Sequence, residues 1–142
     1  MQKRKTKDLE ELLKNANSIE KDFILKDIHD ISFIDYINEL LIEKNLEKSD
    51  IIKDALIPRT YAYQIFQGSK QAGRDKILQL AIAMKLNLEE TNRLLTIAHH
   101  NILYAKHQRD ATIIFCISNH YNLFATNELL DEYSHELLGD FS

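Results

Sequence analysis

Residues 51–68 read IIKDALIPRTYAYQIFQG, and how that stretch divides decides the fold. Pro58 disfavours the α region for Ile57 and is well suited to a helix start, so one helical segment must close before it and another open after it. The spacing predicts a helix from Lys48 to Ala55 with Ile51, Ile52 and Ala55 inward, a tight turn, and a helix from Arg59 to Gln67 stopped by Gly68. In this second helix Ala62 and Ile65 face inward, which leaves Arg59, Thr60, Tyr63, Gln64 and Gln67 outside. Two short helices joined by a tight turn, the second with a polar and aromatic outer face, are the layout of a helix-turn-helix, whose second helix enters the major groove of DNA.

The same helical periodicity extends in both directions, with no run of β-branched alternation, so the class is all-α. Upstream, Ser32 can cap a helix whose first turn is favoured by Asp35 and whose buried stripe is Phe33, Ile34, Ile37, Leu40 and Leu41; Asn45 suits a left-handed stop. Before it lies a weaker helical arm, residues 1–31. Leu9, Leu12, Leu13 and Ala16 form one stripe, Asn17-Ser18 interrupts, and Ile19, Phe23 and Ile24 form another, each too short to stand alone in water.

Downstream of GSKQAG (68–73) come helices from Arg74 to Lys85 and from Leu88 to Ala98, with Asn87 and Glu90 as a capping pair. RDKILQLAIAMKLNLEETNRLL from Arg74 then recurs as RDATIIFCISNHYNLFATNELL from Arg109, an offset of 35 with 9 identities in 22 positions. Chance would give about one or two at ordinary residue frequencies. The second copy predicts another helix pair, Arg109 to Asn119 and Leu123 to Tyr133, stacked on the core. The organisation expected is an arm over 1–31, a helix-turn-helix domain over 32–98, and a C-terminal pair over 99–142 that repeats 74–95.

Charge is segregated within a net balance of −4. Lys3, Arg4, Lys5 and Lys7 open the chain, Arg59, Lys70, Arg74 and Lys76 outweigh Asp75 in the middle, and Glu128, Asp131, Glu132, Glu136 and Asp140 crowd the end. The two basic regions can face one phosphate surface even though the sum is acidic. No apolar run approaches the roughly 18 residues of a membrane span, the opening MQKRKTKDLEELL lacks the apolar stretch of a secretory signal, and Cys116 has no second cysteine to pair with. A soluble, cytoplasmic chain with no membrane association is expected. There is no Gly-rich phosphate loop, no His-Glu-x-x-His and no Gly-x-Ser-x-Gly, so no enzyme activity and no cofactor are expected. Cys116 and His120 share a helix face with His99, His100 and His107 upstream, but no ligand pairing completes a set, and no metal is expected.

With these parts in place, residues 33–98 resemble the five-helix domain of phage repressors and the XRE-type transcriptional regulators. The resemblance rests on the turn EKNLEKSD (43–50), on IIKDAL followed by IPRT (51–60), on YQIFQGSK (63–70), and on the closing segment LQLAIAMKLNLEE (78–90). It implies a sequence-specific duplex-DNA-binding regulator in which Arg59, Thr60 and Gln64 reach base edges with Tyr63 beside them. It further implies that Lys48, Gln67, Ser69 and Lys70 contact phosphates. Arg pairs bidentately with guanine, Gln with adenine, and Lys supplies salt-sensitive attraction to the backbone. Two positions depart from the family: Lys48 stands where glutamine is usual, and Leu56 where glycine is usual. A leucine does not readily take positive φ, so the turn is expected to differ in shape.

Plainer readings accompany several of these residues. Arg59 and Gln64 suit an ordinary solvated helix face, and Tyr61 or Tyr63 can close a small core with its hydroxyl in water. Because Arg74-Asp75 recurs as Arg109-Asp110, the arginines are expected to pair locally with each aspartate facing its helix dipole. Thr91-Asn92 and Thr126-Asn127, unfavoured in mid-helix, are expected to hydrogen-bond between the helices of each pair. Regulators of this kind dimerise on paired half-sites, so a homodimer is expected through the arm or the C-terminal repeat, the latter motivated by apolar TIIFCI (112–117). The alternative is a protein-protein interaction or adaptor module on the same scaffold, with the C-terminal helices as partner surface; a third assigns nucleic-acid contact to residues 1–7 alone.

Overall fold

The computed structural model describes residues 6–27 and 31–139. Lys3, Arg4 and Lys5 of the basic start, Asp140 of the acidic end, and the side chain of Phe23 expected in the arm's second stripe lie outside what is described. The chain divides into two compact units, Met1–Ile31 and Ser32–Ser142. All secondary structure among the described residues is helical.

The first unit holds α1 (Thr6–Asn15) and α2 (Ser18–Asp27). Asn17 makes the break between them. Its Oδ1 accepts from the amides of Glu20 (2.8 Å) and Ile19 (3.1 Å), and its Nδ2 donates to the Glu20 carboxylate at 3.0 Å. Those bonds satisfy amides that the first turn of α2 leaves without helical partners. Leu9 and Ala16 are half-buried, whereas Leu12, Leu13 and Ile19 are exposed.

The second unit runs α3 (Phe33–Glu43), α4 (Lys48–Asp54), α5 (Arg59–Gln67), α6 (Arg74–Ala83), α7 (Leu88–Ile97), α8 (Gln108–Ser118) and α9 (Leu123–Glu132). Ser32 caps α3 through the Asp35 amide at 3.1 Å. Asn87 and Glu90 close a reciprocal capping box at the start of α7, and Asn122 caps α9 through Ala125. α3 packs on α5 and α7, α4 on α5 and α6, and α6 on α7; α8 and α9 pack on each other and, through α7 and α6, on the same body. One core therefore runs from Ile37 and Leu40 through Ile65, Ile77 and Leu94 to Ile113, Leu130 and Leu138.

Helix ends in this unit share one device. Asn45, Leu56, Lys85, His99, His120 and Ser134 all have φ between 54° and 65°, and Gly68 has φ 85°. After five of these six, the next amide reaches back five residues, as Leu86 N does to Ala81 O at 3.0 Å and Tyr121 N to Cys116 O at 2.9 Å, the Schellman pattern that satisfies terminal carbonyls. At Gly68 the residue type is required twice over, because a Cβ there would also run into Cδ1 of Ile34.

The internal repeat is deeper than helix against helix. Each threonine hydroxyl donates to a carbonyl at the start of its own helix, Asn87 for Thr91 and Asn122 for Thr126, at 2.8 Å, and Thr126 also meets the Cys116 thiol of α8 across its pair, as expected there. Asn92 and Asn127 instead clamp the chain that follows. Asn92 accepts from Leu103 N, while Asn127 accepts from Leu138 N and donates to Leu138 O. Nor do the repeated Arg-Asp pairs close locally. Arg74 is bidentate to Asp110 at 3.1 and 2.9 Å, and Arg109 is bidentate to Asp75 at 3.0 Å on both oxygens, so the copies exchange partners. Each arginine also holds the loop after its own pair, Arg74 through the carbonyls of Asn101 and Ile102 and Arg109 through that of Glu136.

Candidate functional site

α5 begins abruptly at Pro58, which sits at the N-cap with φ −51° and ψ 132°. Ala62, Ile65 and Phe66 bury one face of the helix against α3 and α4. The 3.6-residue period then fixes what remains outside. Arg59, Thr60 and Gln67 are exposed, and Tyr63 and Gln64 are half-buried along the same face. Ser69 and Lys70 follow Gly68 and are exposed. Their amides both donate to the Gln64 carbonyl, at 3.0 and 3.3 Å, which folds this short segment back over the end of α5.

Two cations lie against aromatic rings here. The Arg59 guanidinium is 5.8 Å from the centre of the Tyr63 ring, and the Lys48 ammonium is 5.3 Å from that of Phe66. The first contact lies near the N-terminal end of α5, and the second brings the start of α4 to its C-terminal end. Arg59, Lys48 and Lys70 form no ion pair with the described carboxylates. Tyr61 behaves differently from Tyr63. Its hydroxyl donates to the Gln71 carbonyl at 3.2 Å and Lys76 lies 5.5 Å from its ring, so it braces the loop after α5.

Leu56 takes the positive φ that a leucine was not expected to adopt readily. Leu56 has φ 56°, in the left-handed region, while its neighbours Ala55 and Ile57 are buried. The Ala55 carbonyl is fixed from α6 by Nε2 of buried Gln79 at 2.9 Å. Tertiary burial on both sides thus holds a conformation that costs a leucine on the order of 1 kcal/mol or more. Its side chain is left 53 % exposed. Together with Ser49, Lys53, Arg59 and Tyr63 it lines an open groove of about 340 Å³ floored by Ile52 and Ile57. Ser49 and Lys53 escaped the sequence reading of the site, although the inward set Ile51, Ile52 and Ala55 already leaves both on the outer face of α4.

The residues weighed for metal binding diverge. Cys116 is fully buried, and burial pushes its thiol upward against a hydrogen bond with Thr126, whereas His120 is exposed beyond the end of α8. Among the described residues no group of three His, Cys, Asp or Glu side chains is arranged to hold a metal ion. No helix among them is long and apolar enough to cross a membrane. Comparison with protein-family models, with curated proteins and with solved structures finds no match to this chain.

Proposed function

We propose that the chain binds duplex DNA sequence-specifically as a transcriptional regulator, with α3 to α7 as a repressor-like five-helix domain and α4–turn–α5 as its helix-turn-helix. One observation carries this: α5 buries Ala62, Ile65 and Phe66 and leaves Arg59, Thr60, Tyr63, Gln64 and Gln67 along the opposite face. A helix anchored on one side and furnished with a guanidinium and a carboxamide on the other has the shape and the donors that major-groove reading needs. Arg59, Thr60 and Gln64 are assigned to base edges with Tyr63 beside them, and Lys48, Gln67, Ser69 and Lys70 to phosphates. In the chain alone Lys48 rests over Phe66, so its phosphate contact requires the ammonium to leave the ring, a cost of roughly 0.5–1 kcal/mol.

Selection from random duplexes at two salt concentrations, followed by shift assays, tests the proposal. Arg59→Ala and Gln64→Ala should each cost about 1–3 kcal/mol on the selected sequence and relax preference at one base pair. Lys70→Ala should weaken all sequences alike and shrink the logarithmic salt slope by about 1. Failure to enrich any duplex at low salt would remove the reading.

A further inference from the structure

A second groove, about 540 Å³, lies where the ends of α4, α6 and α8 meet the start of α9. Its floor is apolar, with Leu86, Ile117 and Leu123 buried in it. Two large apolar side chains stand out in solvent on its lining, Leu56 and Phe124, the latter 71 % exposed. Burying a phenylalanine is worth roughly 1.5–3 kcal/mol, so a partner that covered Phe124 beside this apolar floor would gain that contribution. The charged side chains of its lining are Lys53 and Lys85 against a single carboxylate, Asp54.

The other half of the patch is acidic. Counting along α9 from Phe124, Glu128 lies four residues on and Asp131 and Glu132 seven and eight, one face of a helix, and all three are exposed. Among the described residues neither these carboxylates nor Lys53 and Lys85 take part in an ion pair. One surface therefore carries an apolar slot lined also by Lys53 and Lys85 beside an apolar knob at the head of an acidic face. A two-fold contact requires that kind of patch, because each surface must complement itself.

We propose that this surface joins two copies of the chain, Phe124 of each protomer entering the other's groove while Glu128, Asp131 and Glu132 lie against Lys53 and Lys85 across the two-fold axis. The occupant follows from charge complementarity between two parts of one patch. Of the apolar TIIFCI stretch, Ile113, Cys116 and Ile117 are buried in the core, while Phe115 stays 48 % exposed with its ring edge-on to Tyr121 at 5.7 Å. The inference does not depend on DNA binding.

Charge exchange in the absence of DNA tests it. Sedimentation equilibrium across the micromolar range should show a dimer for the unaltered chain. Lys53→Glu with Lys85→Glu places acid against acid, and Glu128→Lys with Asp131→Lys and Glu132→Lys places base against base. Each variant alone should weaken dimerisation at least tenfold, and an equimolar mixture should form a 1:1 heterodimer. Phe124→Asp, an exposed substitution, should give a monomer with an unchanged helical circular-dichroism melt. A monomeric unaltered chain at high micromolar concentration would overturn the proposal, as would undiminished dimerisation of either charge variant or of Phe124→Asp, or a mixture that stays monomeric. None of these results bears on whether the monomer recognises a duplex, which the shift assays read separately.

Discussion

Leu56 holds φ at 56° beside two buried neighbours, and the strain is local to a side chain that is half in solvent. Glycine occupies that region without a Cβ penalty. Leu56→Gly should therefore raise the unfolding free energy by about 1 kcal/mol, after the larger entropy of the unfolded glycine is subtracted, and a thermal melt reads this directly. If Leu56 serves the groove contact, the same substitution should weaken dimerisation, separating stability from association at one residue. Asp110 makes a prediction with a pH sign. Burial alone would raise its carboxyl, but hydrogen bonds from Arg74 and the Tyr104 amide, with the charges of Arg74 and His107, outweigh it and hold the group below the ordinary aspartate value. A depressed folded value means that the unfolded chain binds the proton more readily. This contribution is complete above the ordinary value of about 4 and is lost as pH falls through the folded one. Asp110→Asn should cost roughly 2–4 kcal/mol at neutral pH, because it strips a nearly buried partner from Arg74, and should flatten the acid limb of a stability-versus-pH curve.

At the scale of the element, helix starts and stops were legible where a local residue dictates them. Ser32, Asn87, Pro58 and Gly68 each act within a few positions of chain, and the helices they bound fall where the spacing puts them. The exposed face of α5 was legible for the same reason. What the sequence hid are contacts set by distant partners. The exchange of Arg74 and Arg109 between Asp110 and Asp75 spans about one repeat length, so the recurring dipeptide looked self-sufficient. Leu56 looked unfit for its turn because the burial of Ala55 and Ile57 and the grip of Gln79 lie outside the local sequence. The asparagines point to loops 11 residues later that carry no periodic signal. Their asymmetry is testable. Asn127 holds both the amide and the carbonyl of Leu138, which is fully buried, whereas Asn92 holds only the amide of Leu103. An unsatisfied buried group costs about 1–3 kcal/mol, so Asn127→Ala should destabilise by about 1 kcal/mol or more beyond Asn92→Ala. Urea unfolding should show the difference in midpoint with an unchanged slope.

For the whole molecule, the repeat makes the C-terminal pair part of the body that carries α5. α9 packs on α6 and α8 on α7, and Gln79 of α6 secures the turn before α5. Removing everything after Ala98 would uncover the faces of α6 and α7 that the second copy covers. It would also take away the carbonyls of Asn101 and Ile102 and the carboxylate of Asp110, which hold Arg74. A domain's net stability is only about 5–15 kcal/mol, and that loss combines several buried apolar side chains with a bidentate ion pair. The fragment 32–98 should therefore lack the cooperative thermal transition of the full chain and bind duplex DNA at least tenfold more weakly, even though it contains every residue assigned to the duplex. A fragment that melts cooperatively within a few degrees of the full chain would show that the second copy is an appendage, and that α6 needs no support from it to hold the turn.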